Sequence, residues 1–166
     1  MATSELELRQ LPETLTVVRS RPLFVMRLDV SKPDLIGQTP AGIRRVGVIH
    51  SGKFEGERLS GQVIDGGSDW QTMRPDDILT LDVRLVLKTD DDALICMTYK
   101  GLRHGPNNAN ARIDRGDLVD PSEVYFRTNP LFETSSAKYA WLNGVIAVGI
   151  GHRQPSGPLY SVFEIQ

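Results

Sequence analysis

The sequence predicts a mostly β fold, a single antiparallel β-barrel of about eight or more strands with one short helix. Three observations predict it. Leu79 to Lys88 alternates strictly, with Leu79, Leu81, Val83, Leu85 and Leu87 on one face and Thr80, Asp82, Arg84, Val86 and Lys88 on the other. Glycines interrupt the stretch from Gly37 to Arg74 at Gly37, Gly42, Gly47, Gly52, Gly56, Gly61, Gly66 and Gly67, a spacing that short strands and tight turns accept and a helix does not. Finally, only one segment, after Gly105-Pro106-Asn107-Asn108, carries the start signal of a helix.

The elements follow in order. Residues 1 to 13 are polar and acidic, with Pro12, and read as an arm; Leu15 to Val18 reads as a short strand, so residues 1–22 form an arm and short strand ahead of a barrel domain over 23–166. Leu23 to Val30 alternates, Phe24, Met26, Leu28 and Val30 opposing Arg27 and Asp29. Strands are expected at Arg44 to His50, Leu59 to Ile64 and Leu79 to Lys88. Asp90-Asp91-Asp92 then turns the chain into a hairpin partner over Ala93 to Lys100. The helix runs through Ala109, Ala111 and Ile113 to about Gly116, with Asn107 or Asn108 as its cap. Strands resume at Glu123 to Thr128, Trp141 to Gly151 and Leu159 to Ile165. An eight-stranded barrel leaves an interior suited to one small ligand.

Composition narrows the function. The 166 residues are 40% hydrophobic and 24% charged, ordinary for one globular domain, and the formal net charge of −2 gives no basic face for nucleic acid. The N-terminus lacks a signal-peptide pattern and no apolar run approaches a membrane span, so a cytoplasmic protein without membrane contact is expected. The single cysteine, Cys96, lies in the apolar run Leu94-Ile95-Cys96-Met97 and is expected to be buried and inert. No phosphate-binding glycine loop, dinucleotide fingerprint or nucleophile elbow is present, and the histidines at 50, 104 and 152 lack metal-ligand spacing. Neither a metal nor a cofactor is expected.

The order of motifs also resembles a known family. Ile36-Gly37-Gln38-Thr39-Pro40, Gly42-Ile43-Arg44-Arg45, Gly52-Lys53-Phe54-Glu55-Gly56, Gly67-Ser68-Asp69-Trp70-Gln71, Leu81-Asp82-Val83-Arg84, Gly101-Leu102-Arg103-His104-Gly105-Pro106, Tyr125-Phe126-Arg127-Thr128 and Tyr139-Ala140-Trp141-Leu142-Asn143 follow one another. Together they resemble the domain-of-unknown-function family 3237, from about Leu23 to the C-terminus. The resemblance implies an antiparallel barrel and a homo-oligomer, and brings no activity with it.

Candidate site residues come from polar positions on these strands. Asp82 and Arg84 share a strand face; they form either a solvent-facing ion pair or an orienting pair inside the barrel, and the resemblance favours the lumen. Arg44 and Arg45 point to opposite faces, and Arg45 is the one chosen to fork onto a carboxylate or enolate oxygen. Tyr125 and Arg127 share a face opposite Phe126 and could donate to an oxyanion, or the tyrosine could simply cap a core. His104, in a loop, suits a proton carrier as well as it suits shaping the turn. Asp69 with Trp70, and Trp141 with Asn143, offer aromatic walls beside polar groups, although tryptophan also fills cores. Glu55 and Glu133 would become bases if buried.

Three functions fit these residues. In the first, a cofactor-independent lyase, hydratase, isomerase or cyclase acts on a small organic molecule such as an aromatic or carbonyl acid. Arg45, Arg84 and Arg127 bind the anionic oxygen while Asp82, Tyr125 or His104 moves the proton. The second is a carrier or sensor with the same pocket and no turnover. The third is a structural oligomer subunit with no cavity. A polar lumen would send the leucines of 79–88 outward to be covered by another subunit or by the helix, and the polar lumen and the oligomer are expected together.

Overall fold

The computed structural model describes residues 7–166. Eleven strands form one antiparallel sheet: β1 (Ser20–Val30), β2 (Asp34–Thr39), β3 (Gly42–Glu55), β4 (Ser60–Val63), β5 (Gly67–Met73), β6 (Leu79–Thr89), β7 (Leu94–His104), β8 (Tyr125–Thr128), β9 (Leu131–Glu133), β10 (Ala147–Gln154) and β11 (Gly157–Ile165). Eight of them close the ring β6-β5-β3-β1-β11-β10-β8-β7, the last pairing back on β6. The remaining three pair outside it: β2 folds back on β3, β4 joins β3 to β6, and β9 pairs with β7. One α-helix, α1 (Ala109–Asp114), follows β7, with Asn108 at its N-cap in a left-handed conformation. Among the described residues no helix is long and apolar enough to cross a membrane.

The inside of the barrel is apolar over most of its length. Leu81, Val83, Leu85 and Leu87 of β6 point inward to meet Phe24, Met26 and Leu28 of β1 and Ile95, Met97 and Tyr99 of β7, and Leu79 is buried on the same parity. The polar lumen expected from Asp82 and Arg84 is therefore corrected. With period two, one face must be wet, and burying five aliphatic side chains outweighs desolvating an aspartate and an arginine. The leucines need no second subunit to cover them. Cys96 is likewise exposed rather than buried, because Ile95 and Met97 take the inward parity of β7.

One end of the barrel is plugged. Phe24 packs on Phe54 and Phe132 at centroid distances of 5.5 and 6.0 Å, and Leu142 closes the layer from a 3-10 helix over Ala137–Gly144. That helix corrects the expected strand start at Trp141, since β10 begins only at Ala147. Residues 15 to 18 also form no strand, the chain reaching the sheet at Ser20; of the expected arm, residues 1–6 lie outside the described residues. Conversely, β2, β5 and β9 are strands that alternation alone did not single out.

Candidate functional site

The other end of the barrel opens into a cavity of about 530 Å³. Asp69 and Gln71 enter it from β5, the strand with polar residues on its inward parity: both are buried, whereas Trp70 between them faces out. Gln71 Nε2 donates to Asp69 Oδ2 at 2.5 Å, and Gln71 Oε1 accepts from Arg45 Nε at 2.7 Å. Arg45 then forks onto Asp114 of α1, Nη1 to Oδ2 at 2.8 Å and Nη2 to Oδ1 at 3.1 Å. Arg103, only 3% exposed at the end of β7, reaches the same carboxylate from Nη2 at 3.4 Å, and its Nε donates to Asn110 Oδ1 at 2.8 Å. Asn110 is itself fixed by donating to the Asp77 and Arg103 carbonyls. The short helix thus exists at the mouth to hold two arginines, and the whole chain from Asp69 to Asn110 is preorganised.

Asp69 is the chemically unusual member. It is 7% exposed, and its Oδ1 is buried with no hydrogen-bond partner among the described residues. Burial pushes its carboxyl up to about 6, against the lowering by the Gln71 hydrogen bond and by the charges of Arg103, Arg45 and Arg153. Beneath it lie Tyr99 and Tyr160, rings 5.6 Å apart and edge-on, with Phe126 5.5 Å from Tyr160. Burial raises both phenols well above their ordinary value, and the Asp69 charge adds to the effect, so neither ionises near neutral pH. Arg103 is pushed down to about 10 by burial and stays a cation. The result is a carboxyl raised above its ordinary value, with the buried Tyr160 phenol and fixed guanidinium groups around one cavity and Tyr99 packed against Tyr160.

Two of the residues proposed from sequence, Arg45 and Asp69, meet at this mouth. Asp82, Trp70, Tyr125 and Arg127 meet elsewhere, in an open groove of about 660 Å³ on the outer wall, where Asp82 sits in register between Trp70 and Lys100. His104 stacks on Tyr125 there at 5.0 Å, and the Arg127 guanidinium lies 5.0 Å from the same ring. The lumen placement favoured for Asp82 and Arg84 is thus corrected for both, Arg84 lying on the outer face opposite Ser68 and Thr98. Glu55 is exposed and pairs with Lys53, and Glu133 is exposed on β9, so neither is desolvated. Trp141 lies under Arg58 at 4.2 Å and Asn143 clamps the Thr134 backbone, both beside the plugged end. Gln71, Tyr99, Arg103, Asp114, Arg153 and Tyr160 were not singled out. Parity could have found three of them: Tyr99 and Arg103 follow Ile95 and Met97 inward, and Tyr160 precedes Val162.

A closed eight-stranded antiparallel barrel, plugged by aromatics at one end and carrying an acid–arginine cluster at the other, is the class of protein these features define. Residues 18–165 match the family model described as a protein of unknown function, DUF3237, and the chain belongs to that family. It is 38% identical over 144 residues to a UPF0311 protein of Clostridium acetobutylicum, covering 86% of this chain and 91% of that one. The crystal structure of a conserved protein of unknown function from Rhodopseudomonas palustris superposes with a TM-score of 0.84 at 31% identity, over 90% of this chain and 99% of the other. The chain is also 28% identical over 142 residues to the hydroalkoxylation enzyme phnH of Penicillium herquei, spanning 81% of this chain and 80% of that enzyme.

Proposed function

We propose that this protein is an acid–base catalyst of the hydratase, isomerase, cyclase or lyase kind, acting through its own side chains on a small carbonyl or aromatic compound held at the barrel mouth. The observation that carries the reading is Asp69, a buried carboxyl with one oxygen held by Gln71 and the other unpartnered, beside a cavity large enough for a small ring compound. With a pKa of about 6, roughly one molecule in ten carries the acid form at neutral pH, so the same group can give and take a proton.

The likeness to a hydroalkoxylation enzyme suits this chemistry, because adding O–H across a carbon–carbon double bond is redox-neutral. For a carbonyl-conjugated double bond, the attacking hydroxyl oxygen bonds to the β-carbon and the electron pair moves to the carbonyl oxygen. In this reading Arg45 and Arg103, which line the cavity while bonded to Asp114, favour that developing enolate through their charge. Asp69 delivers its proton to the α-carbon, and the proton lost by the hydroxyl restores the acid. The reverse sequence is an elimination. In both directions the carboxyl ends as it began.

The test is a mass-resolved screen of hydroxyl-bearing enones and phenols with unsaturated side chains, run on the wild type and on Asp69→Asn. Isomeric or hydrated products that the variant forms at least about a hundredfold more slowly support the reading. Equal turnover by both proteins overturns it. Saturable binding of these compounds without turnover by the wild type assigns the cavity to a carrier instead.

A further inference from the structure

The mouth carries a charge opposite to that of the molecule. The chain has a net charge of −2, yet its cavity is lined by Lys32, Arg45, Arg103 and Arg153 against Asp69 and Asp114, four cations to two carboxylates. Arg45 and Arg103 are already committed to Asp114. Arg153 is different: it is half-buried near the end of β10, and among the described residues it forms no ion pair. Its Nη1 donates to the Gln154 carbonyl at 2.7 Å, leaving the outer part of the fork uncommitted. Its charge is nevertheless felt by Asp69, Arg103 and Tyr160, so it sits within electrostatic reach of the acid. The surfaces between these charges are apolar, from Leu81, Ile113, Phe126 and Pro158.

We infer that the substrate enters as an organic anion with a ring-sized apolar body, and that Arg153 takes its negative group. This rests on the mouth being the binding site, as proposed above, and adds the class of molecule it selects. An unpaired, partly desolvated guanidinium binds a carboxylate or phenolate in a fork, while a neutral isostere would leave the cation without compensation. The apolar walls then place the ring over the buried Tyr160, with its reactive part toward Asp69. Lys32, on the loop between β1 and β2, is a strongly hydrated point charge at the lip and is expected to attract the anion without orienting it.

Benzoate and benzamide, titrated separately into the full-length protein by calorimetry or NMR at about pH 8, test the inference, because the two differ in charge and little in shape. Benzoate should bind at least about tenfold more tightly than benzamide, Arg153→Gln should abolish that preference, and Arg153→Lys should restore part of it. Lys32→Gln should weaken benzoate only slightly. Equal affinity for the two probes, an unchanged preference in Arg153→Gln, or no benzoate binding to the wild type each overturns the inference. Asp69→Asn separates the two proposals. Removing a like charge should tighten benzoate several-fold, so an Arg153-dependent preference with undiminished turnover in that variant would sink the catalytic reading and leave the anion site standing.

Discussion

At the scale of the residue, Asp69 is governed by two opposed effects. Burial favours its neutral form, while Gln71 and three arginines favour the anion, and burial prevails by about two pH units. Gln71 is the lever, since among the described residues it alone hydrogen-bonds the carboxylate and also accepts from Arg45. Replacing it by leucine removes the donor with little loss of volume, so the Asp69 pKa should climb further, by roughly one unit, in a carboxyl-detected NMR titration. A pKa that falls instead would mean that water replaces the amide. Sequence made Asp69 visible only as a polar neighbour of Trp70. Its role as an acid depends on being buried, and no residue adjacent in the chain states that.

At the scale of the element, the barrel was legible where hydropathy alternates and illegible where polar residues face inward. β6 announces itself through five aliphatic residues, but β5 turns Asp69 and Gln71 to the inside and Trp70 to the outside, which inverts the usual pattern. β7 does the same at its end, burying Arg103 and exposing Leu102. These inversions make the site: a strand end that breaks the hydropathy rule is where the cavity acquires its charges. A close approach sustains it on the opposite wall, for a Cβ on Gly151 of β10 would stand 2.6 Å from the Phe126 ring, which packs on Tyr160. Gly151→Ala should therefore cost about 1–3 kcal/mol and lower the melting temperature by several degrees in a thermal scan. An unchanged melting temperature would show that the Phe126 ring can move aside without loss.

At the scale of the whole molecule, the site draws on the stability of the fold. Asp69 has a folded pKa of about 6 against an unfolded value near 3.9, so its neutral form is favoured by folding. Its contribution is fully present below about pH 4 and is lost as pH rises through about 6, for a cost of about 3 kcal/mol once it is ionised. Asp69→Asn should accordingly be more stable than the wild type in denaturant titrations at neutral pH, with the difference vanishing towards about pH 4. A variant less stable than the wild type at every pH would show that the carboxyl is not strained. The amino-acid sequence by itself determined the class of fold, most strand positions, the position of the α-helix after Asn107-Asn108, and the family, because period-two hydropathy, glycine turns and ordered motifs are local signals. Which face of each strand lies inside, and so which charged residues share a cavity, was decided only by closure of the barrel. Alternation is symmetric between faces until the ring closes, and closing it buried the leucines, sent Asp82 and Arg84 to the outer wall, and gathered Asp69, Arg45, Arg103 and Arg153 from four separate strands at one end.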